Sequence, residues 1–190
     1  MSYDIFCYKS KTGIPDEEEA DSVIEADNDK WATKDRDANT KLAIVKALIS
    51  YNPRLEALDF DYEEIAKLTA TTIEEAKNKF DHIELSTREG DIAVQLTIYD
   101  NHVFITVPYW YKGDEANRLF QDLKSYIKII RETAGYFVFD PQSGHSFDPA
   151  ENGFKGLEKY LSVSEHIEVI IGKESTLKTK TTKPWWKFWQ

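Results

Sequence analysis

Two groups of side chains in this chain have the types that acid–base or metal chemistry needs. His82 lies between Asp81 and Glu84, and His145 lies between Asp140 and Asp148. An imidazole beside a carboxylate can move a proton near neutral pH, or offer mixed nitrogen and oxygen ligands to a divalent metal. His82, Glu84, Asp140, His145 and Asp148 are therefore the candidates for a hydrolase or a metal-dependent enzyme. Chance proximity competes with that reading, because the chain carries 34 carboxylates against four histidines. No two of His82, His102, His145 and His166 have the helical spacing of a two-histidine metal site, and none has the cysteine–histidine spacing of a zinc site. The sequence also lacks a phosphate-cradling glycine loop, a serine nucleophile elbow and a kinase signature. No metal and no cofactor are expected. The lone Cys7 reads as a small core residue in a strand rather than a reactive thiol.

Aromatic residues are the stronger candidates, and the chemistry they suggest is binding. Tyr109, Trp110 and Tyr111 follow Pro108 at the end of a strand, where three rings in succession cannot all face one core. Rings of this kind bury much area at small entropic cost and concentrate in protein interfaces. The alternative is that two pack inward and one is simply exposed. The chain ends in a second group, Trp185, Trp186, Phe188 and Trp189 around Lys187. It is expected to dock on its own domain, on a partner groove or at a membrane surface. Seven residues are too few for stable membrane insertion.

These residues must be carried by recognisable elements. Val94, Leu96 and Ile98 face Val107, Ile105 and Val103 if Asp100-Asn101 is a two-residue loop, so one face of a hairpin is apolar. Aspartate and asparagine both tolerate the left-handed angles such loops often use. Asp114 then reads as an N-cap, and Ala116, Leu119, Phe120, Leu123, Ile127 and Ile130 form one helical stripe ended by Gly135. Tyr3–Tyr8, His82–Leu85 and Tyr136–Phe139 read as further strands. Pro15 and the acids after it open a helix bearing Ala20, Val23 and Ile24. Asp27 to Asn39, with Trp31, reads as irregular. A second helix carries Ala38, Leu42, Val45 and Ile49. Asp61 with Glu64, and Thr72 with Glu75, have capping-box spacing and open two short helices containing Ile65, Leu68, Ile73, Ala76 and Phe80. They have the outline of a helix-turn-helix, but Glu74 and Glu75 stand where phosphates would lie, which argues against DNA. A last helix is expected from about Gly153 to Leu161; Ile167 to Ile171 either extends it or forms a last strand, and β-branched content favours the strand.

Composition bounds the rest. A chain of 190 residues with 41% apolar and 13% aromatic content can bury one sizeable core. Residues 1–172 are expected to form a single domain, 173–183 a polar linker and 184–190 the tryptophan-rich tail. The first residues lack a secretory pattern, so a cytoplasmic protein is the simplest expectation. The net charge of −10 disfavours nucleic acid and suits a basic protein partner. The sequence does not specify an oligomeric state.

Four segments carry a resemblance: Met1-Ser2-Tyr3-Asp4, Tyr99-Asp100-Asn101-His102, Pro108-Tyr109-Trp110-Tyr111 and Phe139-Asp140-Pro141-Gln142-Ser143-Gly144. Together they resemble small uncharacterised bacterial proteins, some of which look like immunity proteins of polymorphic toxin systems. The resemblance implies an antidote that blocks a toxin by binding it, and it brings no set of functional residues with it. The resulting expectation is an α+β fold, a single antiparallel sheet of about five strands with helices mainly on one face. Its function is protein binding, through Tyr109, Trp110 and Tyr111 or through the tail. An enzyme using the histidine–carboxylate groups and an adaptor tethered by its tail remain the alternatives.

Overall fold

The computed structural model describes residues 2–29, 38–151, 154 and 156–172. Trp31 and the linker and tail, with Trp185, Trp186, Phe188 and Trp189, lie outside the described residues. In chain order the elements are β1 (Ser2–Tyr8), α1 (Glu17–Asp29), α2 (Ala38–Tyr51), β2 (Leu55–Ala57), α3 (Tyr62–Thr69), α4 (Ile73–Lys79), β3 (Ile83–Thr87), β4 (Gln95–Ile98), β5 (His102–Pro108), α5 (Gly113–Ala134), β6 (Phe137–Asp140), β7 (His145–Phe147), a short 3-10 turn (Pro149–Glu151) and α6 (Gly156–Gly172).

The fold is α+β around one open, wholly antiparallel sheet of order β2-β3-β4-β5-β1-β6-β7. Seven strands replace the five expected. The two additions, β2 and β7, are three-residue edge strands, too short to show alternation in sequence. Short edges also give little purchase to a foreign strand.

The central hairpin has the register its apolar residues dictate, with Leu96 opposite Ile105 and Ile98 opposite Val103. The Asp100-Asn101 loop forms without the left-handed angles that were anticipated; Ala70 is the non-glycine residue with positive φ among those described. Strand β4 begins at Gln95, and before it the Thr87 side chain bonds the backbone beside a remaining bond of 3.1 Å from Thr87 N to the Val94 carbonyl. Thr87 Oγ1 donates to the Ile92 carbonyl (2.9 Å) and accepts from Val94 N (3.0 Å).

Alternation along β1 separates two apolar clusters. Tyr3, Ile5 and Cys7 join the main core with residues of α2, α5 and α6, among them Ile44, Leu48, Leu119, Leu123, Ile127 and Tyr160. Tyr8 joins Phe137, Phe139, Ala20 and Val23 in a smaller cluster under α1. Helices therefore serve both faces, three on one and α1 on the other.

Three local expectations change. Helix α5 begins at Gly113, with Lys112 at the N-cap, so Asp114 sits in the first turn instead of capping it; Gly135 closes the helix in the left-handed conformation as expected. The inward face of α2 is Lys41, Ile44 and Leu48, while Leu42 faces solvent. Ile167 to Ile171 continues α6 as helix. The first residue of that helix explains its placement: a Cβ on Gly156 would fall 2.2 Å from the Tyr3 hydroxyl and 2.7 Å from the Phe154 ring, so only bare backbone fits there.

Candidate functional site

The two histidine–carboxylate groups do not converge on one site, although His82 and Glu84 pair within theirs. His82 Nε2 lies 3.2 Å from Glu84 Oε1, and the second Glu84 oxygen accepts from Gln95 Nε2 at 3.2 Å. Phe60, Phe80 and Tyr99 enclose the imidazole, with centroid separations of 5.2, 6.0 and 5.1 Å. Asp140 is buried and accepts from the Tyr3 hydroxyl (2.8 Å) and from Gln142 N (2.9 Å). His145 is exposed, with Nδ1 3.6 Å from Glu17. Asp148 receives two bonds from Arg131, of 2.9 and 2.6 Å, and these hold its carboxyl below the ordinary range. Each group thus has a separate structural partner. Four strands separate β3 from β7, roughly 24 Å at the usual strand spacing. Among the described residues no group of three or more His, Cys, Asp and Glu is arranged to hold a metal. Cys7 is buried, and burial pushes its thiol up.

The aromatic turn splits two to one. Tyr109 and Tyr111 are buried in the main core, whereas Trp110 is 56% exposed. The cause is α6. Tyr109 stacks on Tyr160 at 5.1 Å, and the Tyr160 hydroxyl donates to the Pro108 carbonyl (2.6 Å) and accepts from Tyr111 N (3.1 Å). Ser164 donates to the Tyr109 carbonyl (2.7 Å), and Ala93 N donates to the Tyr111 hydroxyl (2.6 Å). Burial, with Asp4 and Asp140 nearby, pushes the Tyr109 hydroxyl up to about 12. Clasped on both sides, the two tyrosines are structural and Trp110 is the ring presented at the surface.

A second surface feature is the hairpin of α3 and α4, inserted between β2 and β3. Asp61 accepts from the backbone of Glu63 and Glu64, Thr72 and Glu75 form a full capping box, and Ala70 ends α3 at φ 53°. The helices pack chiefly on each other. Their buried residues are Ala66 and Ala76, while Leu68 is 77% and Ile73 45% exposed. Residues 58–82 carry seven acids against three lysines, a net of −4. Acids line both helix starts, where the helix dipole favours them.

The hairpin's base is pinned by a residue that the sequence reading missed. Lys41, 6% exposed, places Nζ 2.9 Å from the Asp81 carbonyl, 3.5 Å from the Asp81 carboxylate and 2.9 Å from Asp100 Oδ1. One buried cation therefore ties the α4–β3 junction to α2 and to the β4–β5 loop. The available signal was spacing: Lys41 precedes Ile44 and Leu48 by three and seven residues, the period of a helix face.

No helix among the described residues is long and apolar enough to cross a membrane. Compared with protein-family models, characterised proteins and solved structures, the chain matches none of them.

Proposed function

We propose that this protein works by binding another protein, as an antidote that neutralises a partner toxin presenting a basic surface. The observation that supports this most is the α3–α4 hairpin, where Leu68 and Ile73 stand exposed inside a segment of net charge −4. An apolar centre ringed by charge is the anatomy of a protein interface, and the charge speeds encounter with an oppositely charged partner. Trp110 supplies a separate aromatic anchor at the opposite end of the sheet, since β5 ends there while the hairpin joins β2 and β3 at their other ends.

The test is affinity capture with the full chain from cells of its source, followed by binding kinetics with the captured protein. The expected partner is basic, and added salt slows its association more than it speeds its release. A partner whose association rate ignores salt contradicts the electrostatic part. Failure to retain any protein contradicts the whole.

A further inference from the structure

A cleft of about 290 Å³ opens between the C-terminal end of α2, the β3–β4 turn and the outer part of α5. Buried Val94 and Tyr126 are among the residues that line it. The Tyr126 hydroxyl accepts from Asn52 Nδ2 at 2.6 Å; its own proton has no acceptor among the described residues. The charged members are Arg54, Asp91, Arg118 and Asp122. Arg54 and Asp91 neutralise each other at 2.9 Å. Arg118 and Asp122 behave differently. They stand four residues apart on α5 and close no ion pair among the described residues, though Arg118 and, less strongly, Arg54 both favour the charged form of Asp122. The Tyr51 ring packs edge-on against Tyr126 at 5.8 Å beside them.

A cleft with this balance selects its ligand by charge. A simple anion suits Arg118 but is repelled by Asp122, and a simple cation meets the reverse. A molecule carrying both charges satisfies both. We propose that the cleft binds a small zwitterion of the amino-acid class, its ammonium on Asp122 and its carboxylate on Arg118. A guanidinium can take a carboxylate through two parallel bonds, and the Tyr126 hydroxyl offers a further donor from the buried side. Asp122 is half-buried, and burial pushes its carboxyl up; an ammonium beside it would favour the charged form. The volume is near the roughly 300 Å³ lower end of small-molecule sites. This inference is independent of the toxin-binding proposal.

The experiment is amide-resolved NMR titration of the full chain with glycine, β-alanine and γ-aminobutyrate, which space the two charges progressively further apart. Acetate and methylammonium are the single-charge controls. At least one zwitterion should saturate, shifting amides of the cleft, and bind roughly tenfold more tightly than either control. Arg118→Gln, at an exposed position, and Asp122→Asn should each weaken that binding roughly tenfold while the far-ultraviolet circular dichroism stays unchanged. Should Asp122→Asn disturb the fold, Arg118→Gln alone carries the test. The proposal is overturned if no zwitterion saturates, if a control binds equally well, or if Arg118→Gln leaves the affinity intact.

Discussion

The sheet face under α5 and the α3–α4 hairpin use apolar side chains in opposite ways. Under α5, Leu119, Leu123, Ile127 and Ile130 are buried in one cluster with Ile5, Leu96 and Ile105. On the hairpin the buried positions hold Ala66 and Ala76, and the larger Leu68 and Ile73 face solvent. Burying alanine and exposing leucine does little for a helix pair's own stability. Helices of eight and seven residues are also too short to persist alone. Their caps, the Phe60–Phe80 and Phe60–Tyr62 contacts and the Lys41 anchor hold them in place. The first region is built for stability, and the second leaves apolar area exposed.

Lys41→Met should have the largest effect, because it leaves Asp100 as a buried charge without its counter-ion. Loss of one member of such a group costs about 3–5 kcal/mol. Chemical denaturation would measure it, and hydrogen exchange should show the hairpin opening first. A loss near zero would mean that Lys41 does not anchor the hairpin. Leu123→Ala should cost about 2–5 kcal/mol as a core truncation, and a denaturation midpoint unchanged from wild type would contradict its place in the core.

Gly156→Ala should cost about 1–3 kcal/mol by overpacking against Tyr3 and Phe154, and Tyr3→Phe, which removes the hydroxyl, should recover part of that in the double variant. An additive double variant would contradict the predicted clash. A smaller effect concerns Asp148. Arg131 lowers its carboxyl in the folded state, so its contribution is present above the unfolded value of about 3.9 and is lost as pH falls through the lower folded value. The stability gap between wild type and Arg131→Gln should therefore be widest above about pH 4 and narrow below it. A gap that is constant across that range would show that the pair contributes only through packing.

The parts of the fold legible in sequence were those where two independent signals agreed. The Leu96–Ile105 register was fixed by apolar residues on both flanks of one loop, and α5 by a stripe that Gly135 closes. What was not legible depends on contacts between distant residues. Ile167 to Ile171 has strand-like composition, but it extends a helix already anchored to the strand end through Tyr160 and Ser164. The division among Tyr109, Trp110 and Tyr111 is decided by Tyr160, which lies 49 residues from Tyr111. Lys41 was missed because lysine is ordinarily a surface residue; its counter-ions come from turns 40 and more residues away. The histidine–carboxylate groups were sequence neighbours; His82 and Glu84 do pair, but Asp140, His145 and Asp148 each take a different partner.

The smallest expected change in stability tests the central claim most directly. The double variant Leu68→Asp, Ile73→Asp removes the exposed apolar surface of the hairpin and leaves its caps, Ala66, Ala76 and Lys41 in place. Its unfolding free energy should stay within about 1 kcal/mol of wild type, as for two exposed substitutions, while capture of the basic partner is lost. A double variant that still captures the partner at wild-type affinity would contradict the account, as would one that unfolds as readily as Leu123→Ala.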